Sequence, residues 1–100
     1  MKYDKLVRDK IPQIIVSKGK NCKFRLAAKD EEYEKYLLLK LQEEVDEFKE
    51  DPCSEELADI KEVLDAIEEH YCLNSINFQE EKYNEKGGFR KRFILEEVED

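Results

Sequence analysis

Pro52, which directly follows Asp51, most constrains how this 100-residue chain can fold. The stretch around it, from Lys40 to Ala66, has the apolar spacing of an α-helix, but proline lacks the amide hydrogen that a helix interior needs. We therefore predict two helices that fold back on each other at Asp51-Pro52. In such an antiparallel hairpin, residues equally far from the turn lie at equal heights.

Four carboxylates have positions that are symmetric about this turn: Glu44 and Glu47 before it, and Glu56 and Asp59 after it. Each pair is spaced i, i+3, so its two side chains share one face of their helix. The two inner residues are equally far from the turn, and so are the two outer ones. We therefore predict that the four side chains converge on one point between the helices.

Two of these carboxylates interrupt apolar helix faces. At about 100° per residue, Glu44 falls inside the stripe formed by Leu37, Leu41 and Phe48. Glu56 falls inside the apolar arc of the second helix in the same way. A buried carboxylate without a partner costs several kcal/mol. The pattern therefore predicts that positive charge lies next to these carboxylates, from either basic side chains or a metal ion.

The oxygen-rich ligand set favours a hard divalent cation, with Mg²⁺ first and Mn²⁺ or Ca²⁺ as alternatives. A zinc site needs nitrogen or sulfur ligands at recognisable spacing. The single histidine, His70, is expected to be an ordinary helix residue. Cys22, Cys53 and Cys72 form no C-x-x-C pair and are expected to be free thiols in a reducing compartment.

Composition limits the partners and the compartment. The chain has 26 acidic and 18 basic residues, a formal charge of −8, which argues against a nucleic acid polymer or an anionic membrane as partner. No apolar run approaches the roughly 20 residues of a membrane span, and no secretory apolar segment begins the sequence, so we expect a cytoplasmic protein. Because 44% of residues are charged, the core should be thin, and we expect a homo-oligomer, a dimer or a tetramer.

The rest of the chain completes a single, mainly α-helical domain. Asp9 and Asp30 are predicted to cap a short helix that ends at Gly19 and a long helix that runs to about Glu50. The helix after the turn should start at Pro52 or Ser54 and end near Tyr71, and another should cover Ile76–Lys86. The segment Cys22–Leu26 alternates in polarity, and the tail around Phe93–Leu95 favours β-structure, so we predict that they pair as a small two-stranded appendage.

Basic residues suited to phosphate binding form two groups. Lys5, Arg8 and Lys10 cluster near the start of the chain, and Lys82 and Lys86 share one helix face near its end, followed closely by Arg90. The glycines at 19, 87 and 88 do not form a P-loop. A phosphate group would therefore be held by metal and side chains. The candidate substrate-binding residues are Arg8, Lys10, Lys82, Lys86 and Arg90.

Longer motifs point to a family. Glu43-Glu44-Val45-Asp46-Glu47 matches the pattern E-E-x-x-E, and Glu56-Leu57-Ala58-Asp59 on the next helix matches E-x-x-D. With KLVRDKIP at Lys5–Pro12 and EKYNEKGGF at Glu81–Phe89, the chain resembles the MazG-like all-α nucleoside triphosphate pyrophosphohydrolases over nearly its whole length. Within that superfamily it is similar to a compact, phosphoribosyl-ATP-pyrophosphohydrolase-like subgroup. The gap between Glu47 and Glu56 is shorter than in typical members.

This resemblance implies Mg²⁺-dependent cleavage of a nucleoside or deoxynucleoside triphosphate between its α and β phosphates, which yields the monophosphate and pyrophosphate. Its metal ligands correspond to Glu44, Glu47, Glu56 and Asp59, and Glu43 would orient or deprotonate the attacking water. Cleaning of the nucleotide pool is the expected role.

Two alternatives remain open. The chain could be a non-enzymatic helical association module whose acidic face binds a basic partner, although such a face does not require carboxylates inside apolar arcs. It could instead hydrolyse phosphoribosyl-ATP by the same chemistry, which only substrate profiling would distinguish.

Overall fold

The computed structural model describes residues 3–99, and over that range the chain is all-helical. The helices are α1 (Ile11–Ser17), α2 (Asp30–Glu50), α3 (Ser54–His70) and α4 (Ile76–Lys86). Their bounds agree closely with the sequence-based expectation, including the start at Ser54. The all-α class is confirmed.

Helices α2 and α3 form the hairpin that Pro52 predicts, and they are the only two helices of the described chain that pack closely together. Helix α2 closes with a hydrogen bond from the Asp51 amide to the Glu47 carbonyl, 3.0 Å long. Pro52 lies in the short turn and not at the first helical position, because α3 begins two residues later. The turn is thus short enough to keep the two helices in register.

The predicted side-chain caps at Asp9 and Asp30 are wrong. The residues at the cap positions of α1 and α2 are Lys10 and Lys29, and neither makes a side-chain capping hydrogen bond. Asp30 is instead the first residue inside α2, in a first turn that also contains two glutamates. There its negative charge interacts favourably with the helix dipole without accepting a capping bond.

The core of the described chain is thin. Its only buried apolar residues are Leu37 on α2 and Val63 on α3, 1% and 8% exposed. Burial of a leucine side chain contributes about 2–3 kcal/mol, so the burial of Leu37 matters for the hairpin. Other large apolar side chains of the same two helices are exposed, namely Leu38, Leu39, Leu57 and Leu64.

The predicted two-stranded appendage is absent from residues 3–99, which contain no strand. The segment Cys22–Leu26 is irregular, and so is the tail that contains Phe93–Leu95. Leu26 is 85% exposed and Phe93 is 86% exposed. The preference of such residues for strands reflects packing against neighbouring strands, and neither segment has such a neighbour among residues 3–99.

Helix α4 stands apart from the hairpin and makes no close backbone approach to α1, α2 or α3. Its start is tied to α3 because the amide of Ser75 donates a 2.7 Å hydrogen bond to the Glu68 carboxylate. Gly87 ends it with a φ of +80°, a conformation that glycine adopts without strain. The chain as a whole is elongated, 62 × 31 × 24 Å. None of the described helices has the length and apolarity needed to cross a membrane.

Candidate metal centre

The four carboxylates that are symmetric about the turn meet between α2 and α3. Each of Glu44, Glu47, Glu56 and Asp59 offers an oxygen, and these oxygens all lie within 4.8 Å of one another. The convergence predicted from equal distance to the turn is therefore observed. The i, i+3 spacing on each helix supplies two ligands per face, and the short turn brings the two faces together.

Burial distinguishes this cluster from an ordinary acidic surface. Glu44 is 5% exposed and is the only buried charged residue of the described chain. Its Oε2 atom and the Oε2 atom of Glu56 are buried without any hydrogen-bond partner among residues 3–99. A buried carboxylate oxygen left unpaired is costly. A bound divalent cation would satisfy two such atoms, which belong to two of the four clustered carboxylates.

The burial of Glu44 also changes its proton affinity. Removal from water raises the pKa of Glu44, and the nearby Glu47 carboxylate raises it further, while Lys40 opposes both effects. Two carboxylates this close repel each other when both are ionised. A divalent cation would remove that repulsion and hold both in the charged form.

Lys40 is a site residue that the sequence-based prediction missed. Its Nζ atom lies 2.8 Å from Glu43 Oε2 and 3.2 Å from Glu44 Oε1, and its side chain is largely buried. Burial disfavours the ammonium ion, but the hydrogen bonds to Glu43 and Glu44 outweigh it and raise the pKa of Lys40. The i, i+3 and i, i+4 spacings from Lys40 to the two glutamates are a signal that could have revealed it.

Glu43 lies outside the four-carboxylate cluster and is held by two ammonium groups. Besides Lys40, the Nζ atom of Lys5 lies 3.0 Å from Glu43 Oε1. The hydrogen bond from Lys40, and after it that from Lys5, lowers the pKa of Glu43 against the opposing effect of burial. A carboxylate of lowered pKa is a weak proton acceptor. This environment suits an orienting role for Glu43 better than a general-base role.

The predicted phosphate-binding residues divide into two sets. Arg8 reaches the centre, with its Nη2 atom 2.6 Å from Asp59 Oδ1, and Lys10 lines a cleft shared with Glu44 and Asp59. Lys82, Lys86 and Arg90 lie on or just after α4. In the part of the chain that the structure describes, no hydrogen bond or ion pair joins them to the carboxylates, and α4 does not approach the hairpin. The structure of one chain therefore does not bring this second set to the cluster.

His70, expected to be an ordinary helix residue, is the last residue of α3 and joins the two helices of the hairpin. Its Nε2 atom lies 2.8 Å from Glu34 Oε2 on α2, and its ring contacts those of Tyr33 and Tyr71 edge-on, with centroids 5.0 Å apart in each case. The three cysteines are free thiols.

Comparison of the chain with protein-family models, with curated proteins and with solved structures finds no match. Function must therefore be argued from the centre itself. Its donors are all carboxylates from two helices, and Glu44 and Glu56 each have a buried oxygen without a partner; Lys40 and Arg8 lie alongside. Such an arrangement can bind a hard divalent cation and present it to an anionic group.

Proposed function

We propose that this protein is a metal-dependent nucleoside triphosphate pyrophosphohydrolase of the MazG-like kind, with Mg²⁺ as the metal and Mn²⁺ as a working substitute. It cleaves a nucleoside or deoxynucleoside triphosphate to the monophosphate and pyrophosphate, in cleaning of the nucleotide pool. One observation carries the proposal: four carboxylate oxygens lie within 4.8 Å of one another, with a buried, unpaired oxygen on each helix.

The metal and the side chains have separate tasks. Glu44, Glu47, Glu56 and Asp59 hold the cation, which supplies charge neutralisation and activation of a water when bound. Lys40 keeps Glu44 in place through its 3.2 Å ion pair. Glu43, fixed by Lys5 and Lys40, orients the attacking water.

The basic residues bind the phosphates. Arg8 stands at Asp59 and Lys10 lines the adjoining cleft, so both are placed to contact phosphate oxygens. A guanidinium group provides paired donors that match a phosphate group. Lys82, Lys86 and Arg90 are candidates for the same task, contributed by a second copy of the chain.

A homo-oligomer, dimer or tetramer, is part of the proposal because a single chain leaves its apolar surface uncovered. The exposed leucines of the hairpin and the apolar residues of α4, such as Ile76 and Phe78, form surface that association would bury. Two buried apolar residues are a small core for a chain of this length.

The acidic docking module is less well supported, because of Glu44. A docking face needs its charges in solvent, whereas Glu44 is 5% exposed. Phosphoribosyl-ATP remains the alternative substrate for the same centre. A panel of substrates distinguishes it from the nucleoside triphosphates.

The test is pyrophosphate release by the purified protein with Mg²⁺, measured over the common and oxidised nucleoside and deoxynucleoside triphosphates and phosphoribosyl-ATP. We expect turnover that EDTA abolishes. Glu56→Gln removes one charged ligand and should lower turnover more than about a hundredfold with the fold retained, because loss of supporting groups alone costs a metal site about 10–100-fold in affinity or activity.

The matched control is Glu55→Gln, which makes the same change at an exposed neighbour outside the cluster. It should keep wild-type turnover. Wild-type turnover in Glu56→Gln, or no pyrophosphate release from any substrate, would contradict the proposal.

A further inference from the structure

A cleft of about 870 Å³ opens directly beside the metal centre. One side is the α2–α3 hairpin, and the other is the segment 6–14, which includes the first half of α1. Helix α1 makes no close backbone approach to the hairpin, so the space between them stays open. Small-molecule pockets in proteins measure about 300–1,000 Å³, so this cleft has the size of a ligand site.

On the hairpin side of the cleft, the chemical type of the lining side chains changes with each helical turn. Its facing residues are equally far from the turn at Pro52, as in the metal centre. The pair of facing residues nearest the turn is acidic. The next pair contains one lysine, the third pair is apolar, and the last pair consists of two aromatic rings. The facing pairs are Glu44 with Asp59, Lys40 with Val63, Leu37 with Ala66, and Tyr33 with His70.

The length of the cleft suits a nucleotide. Helix α2 rises about 1.5 Å per residue, so Tyr33 and Glu44 are separated by about 16 Å along it. Phosphates held at the acidic end would direct the sugar over the middle of the cleft and the base toward the rings.

The His70 ring at the aromatic end is held by contacts within the chain. The His70 ring lies between the rings of Tyr33 and Tyr71, at 5.0 Å from each, and its Nε2 atom is 2.8 Å from Glu34. A ring that is already fixed loses little conformational freedom on binding. Aromatic surfaces of this kind bind nucleobases by stacking, with little dependence on base identity.

Charge sets the orientation of the ligand. Arg8 and Lys10 lie at the acidic end, where a bound metal would add positive charge. From the middle to the other end the cleft is bordered by the carboxylates of Glu62, Asp65 and Glu69, which repel phosphate but not an uncharged base. With a metal ion bound, these charges favour a nucleotide that has its phosphates at the metal centre.

We infer that this cleft binds the nucleoside part of the substrate, with the base against Tyr33 and His70 and the phosphates at Glu44 and Asp59. The inference rests on the proposed function, which supplies the phosphate end. It adds a base-binding site at the end of the hairpin away from the turn, and it makes Tyr33 and His70 determinants of affinity for the nucleoside.

The test uses His70 as a probe, because it is the single histidine of the sequence. Its ring-proton NMR signals are followed in the wild-type protein with Mg²⁺ during titration with α,β-imido analogues of the four common deoxynucleoside triphosphates. Inorganic tripolyphosphate with Mg²⁺ is the comparison, because it can occupy only the phosphate end. We expect the His70 signals to move with the nucleotides and to stay in place with tripolyphosphate.

The variants Tyr33→Ala and Tyr36→Ala give a matched pair on one helix. Tyr33 lines the cleft, whereas Tyr36 does not and donates a 2.7 Å hydrogen bond to Asp4. Calorimetry should show nucleotide affinity about tenfold weaker in Tyr33→Ala, with tripolyphosphate affinity unchanged. Tyr36→Ala should change neither affinity.

The outcomes separate the two proposals. Nucleotide binding that leaves His70 unmoved, or that moves it no more than tripolyphosphate does, overturns the base site while the proposed function stands. Equal nucleotide affinity in the two tyrosine variants has the same consequence. Absence of binding by both nucleotide and tripolyphosphate with Mg²⁺ overturns the proposed function and the base site together.

Discussion

The hairpin formed by α2 and α3 differs sharply from the region that follows it, residues 76–99. The hairpin contains every buried residue of the described chain, Leu37, Val63 and Glu44. The following region contains none, and its apolar side chains, among them Phe78 and Phe93, are mostly exposed. Both regions have apolar residues in quantity, so composition does not explain the difference.

The difference lies in whether a facing partner exists within the chain. In the hairpin, the turn at Pro52 places each apolar or acidic residue opposite another at the same height. Helix α4 has no such partner, because it makes no close backbone approach to the other helices. The hairpin should therefore depend on contacts within one chain, and α4 on contacts between chains. The predictions below test this distinction, from the largest expected effect to the smallest.

Truncation of Leu37 should give the largest loss of stability. Leu37→Ala removes the most buried apolar side chain and should lower the free energy of unfolding by about 2–5 kcal/mol. Phe78→Ala, at an exposed site of α4, should cost the isolated chain about 0.5 kcal/mol or less. Urea unfolding at low protein concentration measures both, and equal losses would remove the distinction between the regions.

Binding of Mg²⁺ should stabilise the hairpin in particular. At a hundredfold excess over its dissociation constant, a ligand that binds only the folded state adds about 2.7 kcal/mol of stability. Hydrogen exchange with and without Mg²⁺ should show slower exchange near Glu44 and Glu56 and little change in α4. Glu56→Gln should show no Mg²⁺ effect, and uniform protection of both regions would count against a site confined to the hairpin.

A polar substitution in α4 should weaken association of the chains. Phe78→Ser removes an exposed aromatic side chain, and loss of such an interface residue commonly raises a dissociation constant about tenfold or more. Sedimentation analysis over a range of concentrations measures this, with the polar neighbour Glu80→Ser as control. An unchanged oligomeric state in Phe78→Ser would show that α4 is not part of the interface.

The smallest effect is expected for an exposed ion pair between the segment before α2 and the first turn of α2. Arg25 Nη1 lies 2.5 Å from Glu32 Oε1 on the surface. Exposed pairs of this kind contribute about 0.2–1 kcal/mol and are screened by salt. Thermal melting of Arg25→Ala should therefore differ little from wild type in low salt and coincide with it at about 1 M salt. A loss as large as that of Leu37→Ala would mean that stability does not depend mainly on the buried contacts of the hairpin.

The sequence predicts the hairpin and its carboxylate cluster because both follow from local rules. Proline sets the turn, and equal distance from it pairs Glu44 with Asp59 and Glu47 with Glu56. The same rule pairs Tyr33 with His70, which periodicity alone did not single out. Lys40 was missed although its spacing to two glutamates is a known helix pattern.

The strands at Cys22–Leu26 and Phe93–Leu95 were predicted wrongly because strand formation depends on a partner, not on local composition. The position of Lys82 and Lys86 relative to the metal centre is not a local property either. It depends on how α4 is placed, and α4 has no packing partner among the described residues of one chain. What is set by helix periodicity and turn length could thus be predicted, and what is set by long-range contact could not.

The most direct measurement is a Mn²⁺ titration followed by electron paramagnetic resonance, in which bound Mn²⁺ loses the sharp signal of the free ion. Wild type and Glu55→Gln should remove Mn²⁺ from the free pool saturably, and Mg²⁺ should displace it. Glu56→Gln should bind far more weakly, because one of four ligands has lost its charge. Equal, weak and non-saturable binding by all three proteins would contradict a divalent-cation site between α2 and α3.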